Sequence, residues 1–171
     1  MTPKPKDDVE STACLDVVVG TGEGQVLVAT EIPLQPPAFA IKEVVKTFRN
    51  VTCTAIRDKV IVTGTLVKDI NFKTFEREDC FDTIPRVCGD VRHCEVEIPF
   101  SLFVDVRRAR PGDRCEVVVA EVEGEIDELR EPIPEKKSFR VLLERVVIRV
   151  VVRVTRRTEH GWGASGETEE E

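Results

Sequence analysis

The stretch Phe139 to Thr155, FRVLLERVVIRVVVRVT, decides the fold. Read at a period of two, it separates into an aliphatic face and a face that carries arginine. The aliphatic face holds Val146, Ile148, Val150, Val152 and Val154, and the other holds Arg145, Val147, Arg149, Val151 and Arg153. Eight of the seventeen residues are valine or isoleucine, whose branched Cβ suits a pleated strand. At ~3.3 Å per residue this strand would be about 50 Å long, so we expect it to bend or to serve two sheets.

The arginine face of this strand needs acidic or aqueous neighbours. We expect cross-strand pairs with glutamates such as Glu121, Glu123 or Glu95, or simple solvation, in preference to binding of an acidic polymer. The formal charge of the 171-residue chain is −7, which argues against nucleic acid as a partner. No apolar run of about 18 residues is present, and MTPKPKDDVE is not the start of a signal peptide. We therefore expect synthesis in the cytoplasm without a signal peptide, and no membrane partner.

The first 24 residues predict an arm. Within it, ACLDVVV at positions 13–19 is a short strand candidate with apolar side chains at Leu15, Val17, Val18 and Val19. Gly20, Gly22 and Gly24 follow, and they favour a turn or a flexible hinge over a phosphate-binding loop because VLVAT, not a helix, comes next. Two readings remain open: a local hairpin with residues 25–30, or an arm that adds its strand to a neighbouring subunit.

The middle of the chain predicts further antiparallel strands, and we assign residues 25–157 to one β domain. The strand candidates are 41–55, where a helical start is an alternative, 60–72, 91–106 and 115–126. Pro99 predicts a bulge or an edge position in the third of these. Residues 74–92 have no clear pattern, and residues 158–171 predict a disordered acidic tail in which Trp162 is either unstructured or a docking anchor. The fold class predicted is all-β: a single antiparallel β-sandwich-like domain with an N-terminal arm and a flexible C-terminal tail.

Six cysteines are unusual for a cytosolic domain of this size, and their even number permits disulfides. The cross-link candidates are Cys14, Cys53, Cys80, Cys88, Cys94 and Cys115. Cys14 lies in the arm and is the best candidate for a bond between subunits. Buried or idle thiols are the alternative. A zinc site at Cys80, Cys88, His93 and Cys94 is disfavoured, because C-x7-C-x4-H-C lacks the usual ligand spacing and alternation puts the last two residues on opposite faces.

The sequence contains few residues in a context that suits catalysis. The two histidines are His93, on the polar face of a strand, and His160, in the tail, and the four serines lack a nucleophile-elbow context. We expect a protein that is not an enzyme and that has no cofactor and no metal.

Four segments resemble the SPOCS domain, a family found in spore-coat and spore-envelope proteins of endospore-forming bacteria. They are AIKEVVKTFRNVTC, IRDKVIVTGTLVKDINF, EVEIPFSLFVDV and RVLLERVVIRVVVRVT, with Asp58 to Leu66 and an IPFS turn at Ile98 to Ser101 as the most specific parts. The resemblance covers about Gln25 to Thr155. It implies a β-rich domain that assembles into spore-surface layers or binds other coat proteins. The single copy, without a peptidoglycan-binding module, and the cysteines of residues 74–92 are departures that favour a cross-linked building block.

These observations together predict a structural subunit that assembles with itself, as a homo-oligomer or filament, by strand addition from the arm and by disulfide cross-links. Its expected location is the spore surface or the extracellular space, and its partners are itself and other spore-coat proteins. The alternative is a monomeric spore-coat binding module that recruits another coat protein or a carbohydrate through one sheet face.

Overall fold

The computed structural model describes residues 12–161, with side chains described from 14 to 158. Residues 1–11 and 162–171, including Trp162, lie outside these residues. Residues 158–161 of the predicted disordered tail instead belong to a strand, because they pair with residues 12–15. The strands are β1 (Thr12–Ala38), β2 (Ala40–Ile56), β3 (Lys59–Lys73), β4 (Arg77–Phe81), β5 (Ile84–Cys88), β6 (Val91–Asp105), β7 (Arg114–Ile133) and β8 (Ser138–Gly161). The 3-10 turn Pro134–Lys136 joins the last two. Over the described range, no helix could cross a membrane.

Two antiparallel three-stranded sheets face each other, one in the order β1-β8-β7 and the other in the order β2-β3-β6. At their margins β1 lies beside β6, and β2 lies beside β7, without a shared hydrogen-bond ladder. We call these two margins the β1–β6 seam and the β2–β7 seam. The architecture confirms the predicted all-β, antiparallel, sandwich-like fold.

The inward faces of both sheets form an aliphatic core. The alternate residues of β8 from Val146 to Val154 are buried and pack against Val60, Val62 and Leu66 of β3. A second, smaller cluster surrounds Leu142 of β8 and contains Ile32, Leu34, Ala38, Ile70 and Phe72. Burying one such side chain contributes about 1.5–3 kcal/mol. This repeated burial fixes the register of the central strands.

The long strand β8 lies in one sheet only, so the expectation that it serves two sheets is wrong. Its two edges are both occupied, by β1 and by β7, over most of its length. A strand paired on both sides needs no second sheet to satisfy its backbone groups.

The glycine-rich segment is part of a strand and forms neither a turn nor a hairpin. Residues 20–24 pair with Val154 to Val150 of β8, so the two strand candidates 13–19 and 25–30 merge into β1. The physical reason is close packing across the β1–β6 seam. A Cβ atom on Gly22 would lie 2.5 Å from the carbonyl oxygen of Asp105 and 2.7 Å from Cγ1 of Val104. The absence of a side chain lets the backbone of β1 approach β6.

Two further expectations are corrected in the middle of the chain. Residues 74–92 contain a separate hairpin, β4–β5, closed by Asp82 in the left-handed conformation. The IPFS segment forms no turn, because β6 runs through Pro99 without a register shift. β6 is an edge strand. Proline is tolerated on such strands, because a residue whose N–H would point to the open side donates no hydrogen bond to the ladder. The edge position predicted for Pro99 is thus confirmed, and β2 has no helical start.

Candidate functional site

The predicted assembly arm pairs with β8 of the same chain. Leu15, Val17 and Val18 leave about half of their side-chain surface exposed, at 48–58 %. Val19 is partly buried and packs against the main core cluster. A β-bulge separates Val18 from Gly20 in the pairing with β8. The apolar arm therefore leaves the core at Val19.

The arm is exposed because its neighbours end before it does. β6 ends at Asp105, close to Gly20, and β7 begins at Arg114, which pairs with Thr155 of β8. Beyond that point the sheet consists of residues 12–17 and 156–161 alone. Such a two-stranded ribbon is marginal in water without a third strand. Its outer edge on β1 is open, since β1 forms ladder bonds with β8 only.

The six cysteines separate into one bonded pair and four free thiols. Cys53 of β2 and Cys115 of β7 form a disulfide across the β2–β7 seam, with their Cα atoms 6.0 Å apart. Among the free thiols, those of Cys14 and Cys80 are exposed, and the other two are partly buried. Cys80 pairs with Pro85, three positions before Cys88 on β5. Paired residues share a face and successive residues alternate, so Cys80 and Cys88 lie on opposite faces of the β4–β5 hairpin. They are not placed to bond to each other.

The fold does not bring together the four candidate zinc ligands, which the sequence had already disfavoured. Cys94 faces inward against the smaller core cluster, and burial, with a lesser contribution from Asp69, raises the pKa of its thiol. His93 points the other way, with Nε2 at 2.9 Å from Oδ1 of Asp69. Among the described side chains, Cys80, Cys88, His93 and Cys94 form no group with metal-binding distances.

The arginine face of β8 forms ion pairs with acidic residues on both neighbouring strands. The guanidinium of Arg149 lies 2.7 Å from carboxylates of both Glu121 and Glu23, and these hydrogen bonds raise the pKa of Arg149. Arg153 pairs with Glu116, and Arg145 with Glu128. The predicted partner Glu121 is confirmed. Glu95 instead lies 3.3 Å from Arg49 on the other sheet, and Glu123 accepts a hydrogen bond from Gln25.

A cluster of charged residues between the two core clusters was not expected. Lys68 of β3 and Glu144 of β8 are 0 % and 1 % exposed. The ammonium nitrogen Nζ of Lys68 lies 2.6 Å from Oε1 of Glu144, and 3.6 and 3.7 Å from carboxylate oxygens of Asp127 and Glu125 on β7. Lys46 of β2 pairs with Glu125 at the more exposed end of the cluster. The cluster thus runs from the β2–β7 seam to the centre of the sandwich.

Burial and charge act differently on the two glutamates of this cluster. Burial raises the pKa of Glu144, and the nearby Lys68 only partly offsets it. Burial would also raise the pKa of Glu125, but the hydrogen bond and the charge of Lys46, with a contribution from Lys68, lower it below its usual range. The three carboxylates have oxygens within 4.8 Å of one another, a metal-like spacing whose centre is taken by the Lys68 ammonium.

The sequence contained a signal for this cluster. Lys68 follows Leu66 by two positions and Glu144 precedes Val146 by two, so strict alternation places both on inward faces. A charged residue at an inward position of a central strand indicates a buried partner.

The β4–β5 hairpin presents a second exposed apolar feature. Phe81 and Ile84 pair at its tip and are 69 % and 64 % exposed. The hairpin is braced by Arg86, whose guanidinium donates two hydrogen bonds of 2.7 and 2.8 Å to Asp79.

The fold and these surfaces define an all-β, disulfide-bridged domain with one open strand edge and exposed thiols. Comparison with protein-family models matches residues 40–126 to the family described as SipL, SPOCS domain. The chain belongs to this SPOCS domain family, and membership indicates a spore-associated role. The match runs from the start of β2 into β7, and so leaves out β1 and β8, although the resemblance was expected to extend from Gln25 to Thr155. Comparisons with curated proteins and with solved structures found no match.

Proposed function

We propose that the protein is a structural, non-catalytic subunit that assembles with itself into a spore-surface or extracellular layer or filament. The observation that carries this proposal is the two-stranded ribbon of residues 12–17 and 156–161. It extends past both the facing sheet and β7, exposes Leu15 and Val17 next to the exposed Val18, and has an open backbone edge. Exposed apolar side chains on an open edge are the features that strand addition uses.

Exchange of the arm explains how such a ribbon gives an extended assembly. If residues 12–19 leave their own β8 and pair with β8 of the next copy, the same ladder forms between subunits. This contact is head-to-tail, and a head-to-tail contact that does not close makes a filament. The bulge at Val19 is the natural hinge, whereas Gly22 and Gly24 stay packed on β6 and Gly20 stays packed on Val106.

Disulfide cross-links would then lock the assembly. Cys53 and Cys115 are consumed within the chain, which leaves the exposed thiols of Cys14 and Cys80 for bonds between copies. Such bonds would form once the protein meets an oxidising exterior. The proposed partners are therefore further copies of the chain and other coat proteins, with neither nucleic acid nor membrane.

Electron microscopy and non-reducing gels test this proposal. The intact protein should form fibres or sheets and a ladder of covalent oligomers that collapses under reductant. A protein that lacks residues 1–19 should remain monomeric, and Cys14→Ser should assemble but lose most of the ladder. Cys88→Ser, which removes a partly buried thiol, is the matched control and should keep both the fibres and the ladder. Monodisperse intact protein with one band in both lanes would contradict self-assembly.

The exposed hairpin tip favours a second candidate, a monomeric module that recruits another coat protein. Phe81 and Ile84 give a compact apolar contact on a ribbon that stands apart from both sheets. The substitution Phe81→Asp separates the candidates. It should abolish co-purification of a coat protein from spore extracts if the module is correct, and leave fibre formation unchanged if the arm is the assembly element.

A further inference from the structure

The buried pair Lys68 and Glu144 has a geometry that an ordinary salt bridge does not explain. The two residues lie on the central strands of opposite sheets, and Nζ is 2.6 Å from Oε1. The angles at this contact do not meet hydrogen-bond geometry, and Nζ, Oε1 and Oε2 are all buried without a hydrogen-bond partner in the described residues. A buried ion pair whose protons and lone pairs lack hydrogen-bond partners is costly, because the attraction between the two charges does not replace all of the lost solvation.

We infer that Lys68 and Glu144 condense into an amide, an isopeptide bond that joins the two sheets through their centres. The ammonium loses one proton, and the resulting amine attacks Cδ of Glu144 to form the C–N bond. One carboxylate oxygen then departs with two protons as water. The balance is one ammonium plus one carboxylate giving one amide and one water, so no oxidant or other co-reactant is required.

Asp127 is placed to carry the proton in this step. Its Oδ1 lies 3.6 Å from Nζ, and in the sheet its backbone is directly opposite Glu144. It can accept a proton from the nitrogen and return it to the departing oxygen, ending unchanged. Glu125 is at a similar distance, 3.7 Å, but is held by Lys46 and so is less suited to the transfer.

The surroundings favour condensation over hydrolysis. The pair lies between two aliphatic clusters, with Leu66 and Ile70 flanking Lys68 on the same face of β3 and Leu142 and Val146 flanking Glu144 on β8. An apolar site disfavours the charged forms and favours the neutral amine and acid that react. The product removes both charges, and its single N–H can donate to the neighbouring carboxylates.

This inference is independent of the proposed assembly, since it concerns one chain. It assigns a covalent modification to a site that the family membership does not address. The measurement is the intact mass of the full-length protein, denatured, reduced and alkylated. The condensed chain is lighter than its sequence by one water, about 18 Da. Full sequence mass would overturn the inference.

Peptide mapping places the bond. Trypsin does not cut after an acylated lysine, so a condensed chain should yield VIVTGTLVKDINFK, residues 60–73, joined to VLLER, residues 141–145. Separate peptides that end at Lys68 and at Arg145, without the joined species, would exclude the bond. This assay uses the unmodified sequence and so does not depend on how well any variant folds.

Matched variants identify the residues involved. Lys68→Met should restore the full mass, whereas Lys46→Met, which removes the other lysine of the cluster, should keep the deficit. Asp127→Asn should lower the condensed fraction measured at fixed times after synthesis. A deficit that survives Lys68→Met, or that disappears in Lys46→Met, would overturn the assignment to Lys68, and an unchanged fraction in Asp127→Asn would overturn the proton transfer by that residue.

Discussion

Replacement of Gly22 by alanine tests the packing of the β1–β6 seam. The new Cβ would lie 2.5 Å from the carbonyl oxygen of Asp105, 2.7 Å from Cγ1 of Val104 and 2.8 Å from Cγ2 of Val106. The oxygen belongs to the backbone, so β1 and β6 must separate. Overpacking of this kind costs about 1–3 kcal/mol. Alanine also raises the free energy of unfolding by about 0.5–1 kcal/mol, because it restricts the unfolded chain. We expect a net loss of about 1–2 kcal/mol.

The matched control is Gly124→Ala on β7, where a Cβ would meet nothing within 4 Å. This variant should gain about 0.5–1 kcal/mol, because only the entropy effect remains. Urea unfolding of both variants and the parent, under non-reducing conditions, gives the free energies directly. In thermal unfolding, Gly22→Ala should lower the Tm by about 2–8 °C. Equal shifts for the two variants would refute the packing argument and would make the glycines a flexible linker.

Three further predictions concern the disulfide and the ion pairs. Reduction of Cys53–Cys115, which spans 62 residues, should lower the free energy of unfolding by about 4 kcal/mol, measured by urea unfolding with and without reductant. Hydrogen bonds from Arg156 lower the pKa of Asp113, so Asp113→Asn should cost about 1.5–3 kcal/mol near pH 7. The free energy of unfolding of the parent should fall to that of the variant as the pH drops from the ordinary Asp pKa, about 3.9, through the lower pKa of the folded protein. The reason is that the unfolded chain binds the proton first, and urea unfolding across this pH range measures the difference. Arg149→Ala removes only exposed pairs and should cost about 0–1 kcal/mol per pair, less in high salt, by the same unfolding assay.

The alternation of apolar and polar residues predicted most of the strands. Val60, Val62 and Leu66, and the valines of β8, are buried as the period of two requires. The pairing of Arg149 with Glu121 followed from the same pattern. These features are local or depend on neighbouring strands, where the sequence carries most of the information.

What could not be predicted depends on how distant strands meet. Gly22 looks like a hinge residue until β6 is seen to pack against it. The bond between Cys53 and Cys115 required knowing that β2 lies beside β7, which a strand pattern does not reveal. The inward positions of Lys68 and Glu144 were available from the alternation, but their contact required both sheets to be placed face to face.

The pairing of Thr12 with Gly161 brings the two ends of the described chain together at one corner of the molecule. A force that pulls these two residues apart acts perpendicular to the strands of the β1–β8 ladder, so it breaks the hydrogen bonds one after another, starting at this end. The same ladder pulled along its length would load many bonds at once and resist far more. A layer built from this domain therefore bears tension well only when the load enters along the strands and leaves at the opposite end of the sheet.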